Sequence, residues 1–353
     1  MTTAVPASWF VRQILSWYDQ HGRHDLPWKL PVCPYRIWVS EIMLQQTQVA
    51  TVIDYFNRFM KRFPTLVSLA KASEDDVLAH WAGLGYYARA RNLHKAAQQL
   101  IAHHNGIFPR TVDGLQTLPG IGPSTAAAIV AQAFDQRATI LDGNVKRILS
   151  RFFCVAGAIN QTETLNTLWD YADRLTPKNR VADYTQAIMD IGATLCTKSK
   201  PACSTCPVQR KCQAFATGQQ LQFPVPKAST PKPSRKITFL CLHYQDKLLF
   251  EKRPASGIWG GLYSLLEFAD PSFLKNWCES LTLTFSPQHY QRVGPSLHTF
   301  THFQLEYETY FLNCSKKPNF KKTQQFQWIP IKELSTIGLP APIRKVVSKY
   351  IAQ

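Results

Sequence analysis

Leu118-Pro-Gly-Ile-Gly-Pro-Ser124-Thr-Ala-Ala-Ala-Ile129, with Leu141-Asp142-Gly143-Asn144-Val145 shortly after it, is the stretch on which the reading of the chain turns. Pro119, Gly120, Gly122 and Pro123 cannot continue a helix, so they form a hairpin turn whose backbone can approach a docked ligand closely. The small and apolar run from Thr125 to Ala133 then reads as a helix packed tightly against its neighbours. A helix N-terminus led by glycine-rich backbone presents unpaired N–H groups, and phosphate is the anion that suits them. Beyond that helix, Asp142 falls in a sharp turn before a second helical run, Val145 to Val155.

Hairpin and aspartate in this order resemble the signature of the helix-hairpin-helix, Gly/Pro-Asp superfamily of DNA glycosylases. The resemblance implies that Gly120 and Gly122 lie on the DNA backbone and that Asp142 faces a flipped nucleotide. A glycine-proline turn between two core helices is the plainer alternative. It accounts for either half of the signature but not for both in sequence.

The composition is compatible with that reading. At 353 residues, 45% hydrophobic and 18% charged, the chain is globular and long enough for two cores. The net charge is +17, with 23 Lys and Arg against 15 Asp and Glu in residues 1–225 and 17 against 8 in 226–353. Both parts are therefore basic, as expected of a protein that holds a polyanion along its whole length. No stretch is apolar enough to suggest a membrane span, and residues 1–8 lack the pattern of a signal peptide. The expected location is the cytoplasm, associated with the nucleoid through DNA, and the expected state is a monomer.

From the N-terminus, residues 6–20 carry apolar side chains at helical spacing. His24-Asp-Leu26-Pro-Trp28 is a proline-broken loop, and Leu26 and Trp28 are either core anchors or walls of a base pocket. Trp38-Val-Ser-Glu41-Ile-Met-Leu-Gln45-Gln46-Thr-Gln48-Val49 opens what reads as one long helix to about Phe63, with Ser40 as its cap. A glutamate in a first turn is stabilised by the helix dipole. That explains Glu41 but not the glutamines after it, whose amides suit hydrogen bonds to base edges. This run is similar, almost residue for residue, to the catalytic helix of adenine DNA glycosylases of the MutY type. Trp81-Ala-Gly-Leu-Gly85-Tyr86-Tyr87-Ala-Arg89-Ala-Arg91 is a glycine turn opening a helix that ends near His103. The resemblance makes Tyr86 a wedge inserted into the base stack. Further helices are expected at Glu163–Leu175 and Val181–Leu195, for about ten in all.

Four of the nine cysteines, Cys196, Cys203, Cys206 and Cys212, fall within seventeen positions in a proline-containing loop. That crowding is the pattern of metal ligands, and spacing alone allows zinc or an iron–sulfur cluster. The six-two-five spacing resembles the [4Fe–4S] loop of endonuclease III and MutY glycosylases, which implies the cluster. Lys198, Lys200, Arg210 and Lys211 on the same loop suit phosphate docking more than redox chemistry.

Pro224 to Lys236 is rich in proline and has no apolar period, so residues 226–236 are read as a linker between a helical domain, 1–225, and a second domain, 237–353. The second domain alternates with period two and is α+β. Gly257-Ile-Trp-Gly-Gly261-Leu-Tyr263 resembles the glycine turn of Nudix hydrolases, and Glu267 follows at their spacing. Lys275-Asn276 stands where the metal-binding helix of that family carries Arg-Glu, so a binding domain without hydrolase activity is expected. His298-Thr-Phe300-Thr301-His302-Phe303 resembles the MutY loop that recognises 8-oxoguanine. Thr301 replaces the serine usual there, keeping the hydroxyl and adding a methyl.

The resemblance implies base-excision repair of adenine opposite 8-oxoguanine or guanine in double-stranded DNA. Release of adenine needs a flipped base, a protonated leaving group and a stabilised sugar cation. Glu41 is then the acid for adenine N7, Asp142 the stabiliser of the oxocarbenium ion, and Asn144 and Ser124 the supporting residues, Asn144 for Asp142. Leu26, Trp28, Gln45, Gln46 and Gln186 would contact adenine or DNA, although relatives carry glutamate where Gln186 stands. Lyase relatives such as endonuclease III have a lysine where this chain has Ser124, so a monofunctional enzyme is expected. The alternatives are an endonuclease III-type lyase on oxidised pyrimidines and a non-catalytic iron–sulfur damage sensor. The sensor leaves the pair Glu41 and Asp142 unexplained.

Overall fold

The computed structural model describes residues 5–226, 231–318 and 325–352. They form two compact units, residues 1–71 with 95–229 and residues 72–94 with 230–353. Segment 72–94 thus packs with the C-terminal part of the chain, a membership that contiguity does not suggest. Of the expected linker 226–236, residues 227–230 lie outside the described residues, and Ser234, Arg235 and Lys236 already belong to a strand. Among the described residues, no helix is long and apolar enough to cross a membrane.

The first unit is helical. Ala7–His21 buries Phe10, Ile14 and Tyr18 at four-residue spacing. Pro34–Leu44 and Val49–Arg62 follow as two helices, where the sequence reads as one. At the break Gln45 leaves the helical region and Gln46 adopts a left-handed φ of 58°. Neither glycine nor proline marks that point, so the apolar period runs straight through it. Ser40 is likewise not a cap. The helix starts earlier, with Pro34 in its first turn, and Ser40 Oγ donates to the Ile37 carbonyl at 2.8 Å. Glu41 therefore sits late in its helix and gains nothing from an N-terminal dipole.

The hairpin forms as its glycines and prolines dictate. Gly120 has φ 79°, and Pro123 opens the helix Pro123–Phe134. Leu118 and Ile121 are buried while Gly120 and Gly122 are exposed, so the apolar corners anchor the turn and the glycines face outward. Then come Gly143–Phe152, Thr162–Leu175 and Val181–Thr194. Through residue 226 the described residues hold twelve α-helices rather than about ten.

The second unit is built on a mixed sheet of β1 Ser234–Tyr244, β2 Lys247–Lys252, β3 Tyr263–Ser264, β4 Leu266–Phe268, β5 Tyr290–Thr299, β6 Gln304–Asn313 and β7 Phe326–Pro330. The order is β3-β2-β1-β6-β5, with β4 paired to β1 and β7 to β2. Only β1 and β6 run parallel among these pairs, and Ser234, Arg235 and Lys236 are held there by Gln304, Leu305 and Glu306. Pro271–Ser280 covers one face with Leu274 and Cys278 buried. Within this unit, Lys252 Nζ pairs with Asp75 at 2.7 Å, and Arg91 donates to the Gly260 carbonyl.

Candidate active site

Elements of the first unit enclose a cavity of about 680 Å³ whose lining includes Leu26, Trp28, Glu41, Gln45, Ser124, Asp142, Asn144 and Gln186. These residues come from five separate stretches of chain, and the volume is that of a small-molecule site. Trp28 is fully buried, with its ring edge-to-face on Phe56 at 5.5 Å. Gln45 Nε2 donates to Thr125 Oγ1 at 3.3 Å.

The two carboxylates meet different surroundings. Glu41 Oε1 accepts one hydrogen bond, from Gln132 Nε2 at 2.8 Å. Burial pushes its carboxyl up to about 7, the Gln132 bond opposing that shift and the Asp142 charge adding to it. Asp142 caps Gly143–Phe152: its Oδ1 accepts from Val145 N at 2.8 Å and its Oδ2 from Asn144 Nδ2 at 3.0 Å. Burial raises the Asp142 carboxyl as well, but the donors from Val145 and Asn144 and the Arg147 guanidinium pull it down. Two donors and a nearby guanidinium support the Asp142 anion, where Glu41 has the single Gln132 donor. Paired carboxylates divided in this way suit acid and anion roles in one reaction.

Beyond Asp142, the partners of the two expected supports, Ser124 and Asn144, were not evident from sequence. Ser124 Oγ accepts from Leu141 N at 3.1 Å, tying the start of the hairpin helix to the turn that carries Asp142. Asn144 Oδ1 accepts from Arg147 Nη2 at 2.8 Å, and Arg147 donates onward to the carbonyls of Gly192 and Cys196, both at 2.6 Å. A hydrogen-bonded chain therefore runs from Asp142 to the first cysteine of the loop. Gly192 is needed for it, because a Cβ there would stand 2.4 Å from the Asn144 Cβ. Gln132, the one amide in an apolar helix, was the detectable signal for the Glu41 partner.

Cys196, Cys203, Cys206 and Cys212 line one small cavity of about 30 Å³, shared with Pro201, Val208 and Phe215. Arg151, only 3% exposed, holds the loop by donating to the carbonyls of Thr197, Lys198 and Phe223 and to Cys196 Sγ at 3.3 Å. Among the described residues, no three of His, Cys, Asp or Glu converge on a single metal-ion position. Lys198, Lys200, Arg210 and Lys211 are exposed around the loop.

The remaining expected site residues are not brought to this cavity. Gln46 is exposed at the helix break, and Gly120 and Gly122 are exposed on the hairpin. Tyr86 lies in segment 72–94 with φ 49° and 46% exposure, and the Arg89 guanidinium stands 5.4 Å from its ring. In the second unit, Phe300 stacks on Phe303 at 4.4 Å and meets His298 edge-to-face at 4.6 Å. Phe300 N donates to the Phe303 carbonyl at 2.9 Å, which sets Thr301 and His302 at the exposed tip of the β5–β6 turn. Glu267 is engaged by Arg235 and by Arg253 at 3.0 Å, ion pairs that a metal would have to displace.

Residues 39–174 match the family of HhH-GPD superfamily base excision DNA repair proteins, and residues 237–349 match the NUDIX domain family. The chain is 36% identical to an adenine DNA glycosylase of Buchnera aphidicola subsp. Schizaphis graminum over 97% of its own length and 98% of that relative's. It is 34% identical to the adenine DNA glycosylase of Homo sapiens, covering 98% of this chain and 74% of that one. Among solved structures, a thermostable thymine-DNA glycosylase matches with a TM-score of 0.55 and 27% identity, over 60% of this chain and 97% of that one. Helical repair domain, Nudix-like domain and near full-length identity agree, and the chain belongs to the adenine DNA glycosylase family.

Proposed function

We propose that this chain excises adenine mispaired with 8-oxoguanine or guanine in duplex DNA, as a monofunctional glycosylase. The observation that carries the reading is the convergence of Glu41 and Asp142 on one cavity in surroundings that favour a protonated acid and a supported anion. Glu41 gives its proton to N7 of the flipped adenine, and the bond from the sugar C1′ to N9 breaks with its electrons moving onto the base. The Asp142 charge stabilises the sugar cation left behind. The Glu41 carboxylate then takes a proton from the water that adds to C1′, which restores the acid and leaves an abasic site.

Around this centre, Gly120 and Gly122 dock the phosphate backbone through exposed N–H groups, and Leu26, Trp28, Gln45 and Gln186 enclose adenine. Gln46 and the exposed Tyr86 act on the duplex, Tyr86 as the wedge. The Phe300, Thr301 and His302 turn reads 8-oxoguanine. Cys196, Cys203, Cys206 and Cys212 are the residues that would hold a [4Fe–4S] cluster, a reading favoured by their common cavity and by the donor from Arg151 to Cys196 Sγ. Bound there, such a cluster would clasp covalently a loop that presents exposed lysines and arginines to phosphate.

A lyase reading needs an amine where the hairpin carries Ser124, whose hydroxyl instead accepts from Leu141 N. The test uses one duplex with adenine opposite 8-oxoguanine and another with thymine glycol opposite adenine. Breaks that need alkali, at the adenine alone, are expected. Rapid breakage at thymine glycol under neutral conditions would assign the lyase reading instead.

A further inference from the structure

Asp190 is wholly buried on Val181–Thr194, one turn beyond Gln186. It is absent from the cavity lining, yet it grips two residues that belong to that lining, Arg23 and Gln186. Asp190 Oδ2 accepts from Arg23 N at 2.9 Å, and Oδ1 accepts from Arg23 Nε at 3.0 Å and Nη2 at 2.6 Å. Oδ1 also accepts from Gln186 Nε2 at 2.7 Å. Four donors on one ion-paired, fully buried carboxylate make this a fixed point of the site.

We infer that Asp190 is a specificity-positioning residue, which decides the bases the cavity accepts by fixing the orientation of the Gln186 amide. The inference rests on the reading of the cavity as the adenine site. A carboxylate paired with arginine offers only acceptors, so the amide must turn its nitrogen toward it. The reverse orientation sets the Gln186 carbonyl oxygen against Asp190 Oδ1 at a buried site, where low local polarity makes the repulsion costly. The nitrogen end is thereby committed, and the end offered to a base is the acceptor Oε1. An acceptor there welcomes the 6-amino group of adenine and opposes the 6-oxo group of hypoxanthine or guanine, which brings lone pairs of its own. The selectivity of Gln186 is in this sense set from a residue that no base touches.

The test compares single-turnover release of adenine, purine and hypoxanthine, each opposite 8-oxoguanine, by the wild-type protein and by Asp190→Asn. Purine has no 6-substituent and serves as the internal measure of general damage. An amide at position 190 offers Gln186 a donor as well as an acceptor, so both orientations of Gln186 become accessible. The adenine-to-hypoxanthine rate ratio is expected to fall about tenfold, the worth of one hydrogen bond. A fall of all three rates together with the ratio unchanged assigns Asp190 a scaffold role and overturns the inference. Should Asp190→Asn not fold, Gln186→Met leaves the Arg23 pair in place and removes the acceptor. There the adenine-to-purine ratio is expected to fall about tenfold, and an unchanged ratio again overturns the inference. If the wild-type protein releases no adenine, the functional reading itself fails, and this inference with it.

Discussion

Asp142→Asn is expected to lower single-turnover adenine release by about 10³-fold or more while leaving binding to the mispaired duplex largely intact. The substitution keeps the shape of the side chain and an oxygen for the Val145 N–H, so the cap of Gly143–Phe152 survives. What it removes is the negative charge, held between Val145 N and Asn144 Nδ2 with Arg147 nearby. A charge aimed at a developing sugar cation acts only in the transition state, so its loss appears in the rate and not in affinity. Release and binding measured on the same preparation separate the two, and release within tenfold of wild type would remove Asp142 from the chemistry.

Glu41→Gln carries the second large effect, a loss of about 10²- to 10⁴-fold, the range of a positioned general acid. Gln132 can still donate to the new amide oxygen, so the change tests proton donation and not packing. The wild-type pH profile checks the same claim independently. Burial holds the Glu41 carboxyl at about 7, so the acid is present below that pH and is lost above it. The rate is therefore expected to be high below pH 7 and to fall about tenfold per unit above it. On the acid side it falls again as Asp142 takes up a proton, and the two limbs belong to the coupled pair. In Glu41→Gln the fall above pH 7 should vanish, whereas an unchanged alkaline limb would assign it to another group.

The parts of this architecture legible in the sequence are those fixed by local chemistry. Glycine and proline punctuate the hairpin whatever surrounds it, and an aspartate followed by Gly143, Asn144 and Val145 caps a helix through a neighbour three residues on. The cysteine spacing is equally local. Features made by tertiary contact were not legible. The break at Gln45 and Gln46 has no breaker residue, and Ser40 resembles a cap until Pro34 is seen to open the helix. Ser234 to Lys236 continue a basic, proline-rich run and become strand only because β6 pairs with them. Gln132, Arg147 and Asp190 find partners 91, 49 and 167 residues away, distances at which a single sequence gives no pairing.

The measurement closest to the central claim is adenine release under single-turnover conditions from three duplexes that differ only in the base opposite adenine. Release opposite 8-oxoguanine and guanine, with none opposite thymine, is the expected result. It requires both the Glu41 and Asp142 centre and the Phe300 to His302 turn. No adenine release from any duplex, or equal release from all three, would contradict the account.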